Sequence, residues 1–122
     1  MSTIKKFEDQ EIWQIAEKPP LRIFTASTDG AFLKDFRFRD QIRAASGSIM
    51  DNIAEGFERS SRLEFINFPG FAKGSCGAVQ SQLHRAKNRL YITERFLRSC
   101  MRAMTGFLQL LQALWVISTK HR

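Results

Sequence analysis

The residues that most often announce chemistry are scarce in this chain of 122 residues: there are two histidines, two cysteines and one tyrosine. Cys76 and Cys100 have no neighbours at metal-ligand spacing, and His84 and His121 lie far apart. The two thiols are expected to be buried and reduced, and no metal or cofactor is expected. No Gly-rich phosphate loop and no H-E-x-x-H run occurs. No Glu-x-x-His pair occurs either, which argues against the di-metal site that helical bundles can hold. Without a base, an orienting partner and a nucleophile in one pattern, an enzyme is not expected.

Other absences bound the architecture. No apolar run approaches the roughly 20 residues that cross a bilayer. The opening MSTIKKFEDQEIW turns acidic after two lysines and has no apolar core, so it does not read as a secretory signal, and the protein is expected to be cytoplasmic. Only three prolines and seven glycines occur, with no low-complexity tract and no internal repeat. No segment shows a sustained strand-like alternation. Apolar residues make up 43%, enough for one domain over residues 1–122 with a real core.

What remains has helical period. Between 94 and 118, Leu97, Met101, Met104, Leu108, Leu111 and Trp115 form one seam, with Phe96, Cys100, Ala103, Phe107 and Leu110 beside it. Two apolar seams predict a helix deep in a bundle or against a second chain. From 62 to 90, Ala72, Cys76, Val79, Leu83, Ala86 and Leu90 form another seam, flanked by small residues (Gly74, Ser75, Gly77, Ala78, Ser81) that suggest close helix approach. Ser61 with Glu64 reads as its capping box, and Pro69 predicts a kink. Residues 37–57 give a third helix, with a bulky seam through Phe38, Ile42, Ala45, Ile49 and Ile53, a small one around residues 44–48, and an exit at Gly56. The first segment, 7–28, is expected to break at Pro19-Pro20, and residues 28–36 to be a long connection. The expectation is an all-α, antiparallel up-and-down four-helix bundle.

The runs QIRAA (41–45), SIMDNIAEG (48–56), RSSRLEF (59–65), FAKGS (71–75) and QLHRA (82–86) resemble the "four helix bundle protein" family, whose members include proteins encoded in intervening sequences of bacterial 23S rRNA genes. The likeness covers most of the chain. It implies up-and-down bundles that assemble as homopentamers, with no enzymatic activity associated. Accessory proteins of diversity-generating retroelements share that architecture, which implies a nucleic acid and a protein partner in a nucleoprotein complex. The family-motif residues Arg43, Asn52, Glu55, Gly56 and Glu64 are expected to be structural. Asn52 and Glu55 share a face suited to cross-bundle hydrogen bonds, with Arg43, Arg59 or Arg62 as partners for a buried Glu55 carboxylate.

Charge carries the remaining signal. The net charge is +7, and residues 63–122 hold nine Lys/Arg against two Asp/Glu. His84, Arg85, Lys87 and Arg89 close one helix, while Arg95, Arg98 and Arg102 open the next at i, i+3, i+7. A short antiparallel link places both sets at one end. Such a cluster suits sequence-tolerant, salt-sensitive contact with RNA or DNA phosphates. Charge runs are also ordinary solvated faces, and the alternative is a protein–protein scaffold that binds no nucleic acid. No interleaving of aromatic and basic residues is visible along the chain, which favours backbone and shape recognition over base stacking.

Overall fold

The computed structural model describes the backbone of residues 11–59 and 62–120 and, within these, the side chains of 14–52, 54–55 and 73–113. It is all-helical over that span: α1 (Glu11–Ala26), α2 (Gly30–Lys34), α3 (Phe36–Arg59), α4 (Arg62–Asn88) and α5 (Glu94–Lys120). α1 packs on α3 and α5, α4 packs on the same two helices, and α2 lies on α3. One apolar cluster fills the space between them, with buried residues from all five.

The buried stripe of α5 runs through Leu97, Cys100, Met104, Phe107 and Leu111, at alternating spacings of 3 and 4. It straddles the two seams read from the sequence. Met101 and Leu108 flank it on one side, Phe96 and Leu110 on the other, all half-buried. The helix therefore presents a single contact seam with partly covered shoulders. On α4 the seam is Cys76, Val79, Leu83 and Ala86, each fully buried. Burial pushes the Cys76 thiol up to about 11. It also raises Cys100, against the opposing charge of Arg22. Both are inert as nucleophiles near neutrality.

Several expectations are corrected. α1 does not break at Pro19-Pro20 but runs unbroken from Glu11 to Ala26. The two prolines cannot donate to the carbonyls of Ile15 and Ala16. The helix persists because Ala16, Pro19 and Ile23 are all buried on one face, so packing outweighs the local preference. α3 likewise continues past Gly56 to Arg59, and the side chain of Pro69, where a kink was expected, lies outside the described residues. The Ser61 cap and the side chain of Glu64 lie outside the described residues. Of the small residues, Ser75 meets α3, its Oγ accepting Asn52 Nδ2 at 2.8 Å, but Gly74, Gly77, Ala78 and Ser81 are exposed, and a Cβ added at either glycine would meet nothing within 4 Å.

The expected connection at 28–36 holds a helix. Gly30, at φ +63°, turns the chain as only glycine does without strain. α2 then buries Phe32, which stacks on Tyr91 at 5.2 Å between centroids and lies 5.9 Å from Phe38. Asp35 follows. One carboxylate oxygen accepts the Phe38 amide at 3.4 Å at the start of α3, and the other accepts Arg89 Nη1 at 2.9 Å and the Tyr91 hydroxyl at 2.8 Å. The Tyr91 hydrogen bond, with help from Arg89, holds the Asp35 carboxyl below its ordinary range.

Leu90 was expected in the α4 seam but is 88% exposed, at φ +65°. It occupies the left-handed position that ends α4: its amide bonds Lys87 O at 3.0 Å and the Tyr91 amide bonds Ala86 O at 2.9 Å. This is a Schellman termination with leucine where glycine is usual. Thr93 then caps α5, its Oγ1 accepting the Phe96 amide at 3.0 Å.

Candidate nucleic-acid interface

The α4–α5 turn brings the two basic sets together, and the fold then divides them. Arg89 is held by Asp35, and its guanidinium lies 4.8 Å from the Phe38 ring centroid. Arg85 stacks on the same ring at 5.3 Å. Lys87 Nζ lies 3.6 Å from Glu94 Oε2, and Arg98 Nε donates to Glu94 Oε1 at 3.2 Å. Led by the Arg98 hydrogen bond, these cations hold the Glu94 carboxyl below its ordinary range. Four of the six predicted basic residues are thus engaged by an acid or an aromatic ring.

Arg95 and Arg102 differ. Both are exposed, and neither an acid nor an aromatic ring among the described residues engages either. They line an open groove of about 340 Å³ between α1 and α5, together with Arg22, Thr93, Phe96 and Ser99. Arg22 comes from α1. Its Nη1 donates to Ser99 Oγ at 2.7 Å, and its guanidinium lies 5.0 Å from the Phe96 centroid. A second, mainly apolar depression of about 320 Å³ shares Arg22 and Phe96 and adds Leu21, Thr25 and Ala26. Sequence reasoning missed Arg22 and Ser99. Ser99 sits one turn beyond Arg95, but Arg22 is 73 positions from Arg95 and joins it only through α1–α5 packing.

The lack of aromatic–basic interleaving along the chain does not carry into space. Arg39 lies over Phe36 and Arg43 over Phe24, in addition to the pairs on Phe38 and Phe96. The partners sit mostly on different elements, which is why the sequence hides them. Phe24 and Phe36 are 51% and 63% exposed, so part of each ring is open to a ligand.

The family-motif residues lie elsewhere. Asn52 Nδ2 donates to Ser75 Oγ at 2.8 Å, tying α3 to α4. Glu55 is exposed, so it needs no buried partner, and Arg43 does not serve it. Arg43 reaches instead to the end of α1, where Nε donates to Ser27 Oγ at 2.8 Å and Nη2 to Ser27 O at 3.0 Å. A cation on the last carbonyls of a helix is favoured by the helix dipole as well as by the hydrogen bonds. The side-chain surroundings of Gly56 and Glu64 lie outside the described residues. His84 is exposed. Among the described residues no three His, Cys, Asp or Glu side chains group as a metal would require, and no helix is long and apolar enough to cross a membrane.

Comparison with known proteins bears on the family and the fold. No curated protein matches the sequence. A crystal structure of a protein of unknown function from the S23 ribosomal protein family of Bacteroides thetaiotaomicron shares the fold. Its TM-score is 0.73 at 23% identity, over 85% of this chain and 97% of that one. The family model for 23S rRNA-intervening sequence proteins matches residues 8–113. This chain, with its all-helical fold, belongs to the 23S rRNA-intervening sequence protein family.

Proposed function

We propose that the protein is a non-enzymatic, cytoplasmic accessory factor that binds RNA or DNA through the basic end formed by α4 and α5. The observation that carries this is the pair Arg95 and Arg102, exposed, free of any described acid or aromatic ring and set around one groove. Cations left free of acids are the ones that can displace counterions from a phosphate backbone. Arg85, Lys87, Arg89 and Arg98 add positive potential around them while remaining engaged in the fold.

In this reading the four long helices form an up-and-down bundle as a single domain, and the bundle is a homo-oligomer. The partly covered shoulders of α5, among them Met101 and Leu108, support a second copy there. Five copies is the number the family resemblance implies. Repetition of the basic end around a ring would raise avidity without any new contact. A protein partner in a nucleoprotein complex belongs to the same reading.

The test replaces Arg95, Arg98 and Arg102 with Gln, measures binding to structured RNA and duplex DNA, and follows particle mass by light scattering. The expected result is loss of salt-dependent binding with the mass unchanged. A changed mass would make these arginines structural and remove them from the interface. A second reading, a scaffold for proteins alone, draws on the exposed small face of α4 at Gly74, Gly77, Ala78 and Ser81. Absence of binding even at low salt, in a particle of several chains, would favour it.

A further inference from the structure

We propose that the groove between α1 and α5 is a nucleotide subsite for single-stranded nucleic acid, with the backbone phosphate among the arginines and a base against the Phe96 side. The proposal rests on the nucleic-acid reading above and goes beyond it in placing the contact on α1 and in assigning a stacking contact. The two depressions share Arg22 and Phe96 but differ in chemistry. One gathers three guanidinium groups and the Ser99 hydroxyl. The other offers Leu21, Ala26 and the apolar part of Thr25. A ligand that fills both needs an anionic part next to a flat, weakly polar part, which is the make-up of a nucleotide. Their volumes, about 340 and 320 Å³, suit a site for a ligand of that size.

Arg22 is the element that makes this a site rather than a charged face. It is anchored by Ser99 and laid along the Phe96 ring, so less side-chain freedom is lost when a ligand arrives. A guanidinium stacked on an aromatic ring also extends the flat surface available to a base. Arg95 and Arg102, two turns apart on α5, flank Ser99 and supply the charge. Duplex DNA, whose bases are already stacked, gains only the phosphate contact here.

The experiment measures the affinity of fluorescently labelled single-stranded RNA and of a duplex of equal length, from low to moderate salt, for the intact protein and four variants. Arg95→Gln with Arg102→Gln removes the charges from an exposed face. The expected result is a loss of at least about tenfold for the single strand, and a fall of about 1.4 in the slope of log affinity against log salt. Phe96→Leu keeps apolar volume and removes the ring; it is expected to weaken single-strand binding by roughly five- to tenfold while sparing the duplex. Lys34→Gln with Lys73→Gln, a charge-matched control away from the groove, is expected to cost under about twofold.

A larger loss from Arg85→Gln with Lys87→Gln than from the groove pair would place binding on the α4 side, overturning this subsite while leaving the nucleic-acid reading intact. Equal weakening of single strand and duplex by Phe96→Leu would overturn the stacking role. Fragmentation of the particle in the groove variant would make the groove an interface between copies. Equally tight binding of a poly-glutamate peptide would assign it to acidic protein partners. If the unmodified protein binds no nucleic acid at low salt, the broader reading falls with it.

Discussion

Arg89 and Arg102 carry the same side chain and are both exposed, yet the fold uses them differently. Arg89 closes a network: it meets Asp35, beside Tyr91 and the rings of Phe32 and Phe38, and joins the start of α3 to the α4–α5 turn. Arg102 faces a groove with two other arginines and no acid. A cation already neutralised by the fold releases few counterions when a phosphate approaches, whereas an unneutralised one releases more. The braced side of the basic end should therefore govern stability and the groove side should govern binding.

The largest expected effect lies on the braced side. Phe32→Ala empties the centre of the Phe32–Phe38–Tyr91 cluster and should destabilise the protein by about 3–5 kcal/mol, read from denaturant midpoints at constant m-value. A loss below about 1 kcal/mol would mean that α2 is an ornament on α3 rather than part of the core. Leu90→Gly has a smaller effect of opposite sign. Removing the side chain relieves the left-handed strain at the end of α4 and should stabilise by about 1 kcal/mol in the same measurement, with RNA affinity unchanged. Destabilisation instead would show that the exposed Leu90 side chain makes a contact between copies.

The smallest effect is on pH dependence. Because the Asp35 carboxyl is lowered in the folded state, its contribution is present above its unfolded value near pH 4 and is lost as pH falls through the folded one. Asp35→Asn should flatten the acid limb of the stability–pH curve and leave the region from pH 6 to about 8 parallel to the original. An unchanged acid limb would place the sensitivity in Glu94 or Asp40, both also lowered by arginines: Arg98 for Glu94, Arg39 for Asp40.

The long apolar stripes of α4 and α5 were legible because each repeats over several turns, and a 3,4 spacing has few other meanings. Local signals misled in several places. Pro19-Pro20 promised a break, but Pro19 is buried with Ala16 and Ile23, and tertiary packing decided. Gly74 and Gly77 of α4 suggested close approach, but the structure leaves them facing open space. Leu90 continued the apolar spacing by one more turn, but Ala86 and Lys87 carbonyls close the helix before it. The candidate interface was half legible. Charge density marked the α4–α5 turn. It carried no information about which cations the fold would neutralise, or that Arg22 would arrive from α1. Those depend on which helices are neighbours, and the four-residue spacing of a helix says nothing of its partners.

The most direct test of the central claim is the salt dependence of single-stranded RNA affinity for the intact protein, with particle mass measured in the same buffer. Engagement of Arg22, Arg95 and Arg102 predicts a slope of about −2 in log affinity against log salt for each groove occupied. A flat dependence, or no binding at low salt by an intact particle, would contradict the account.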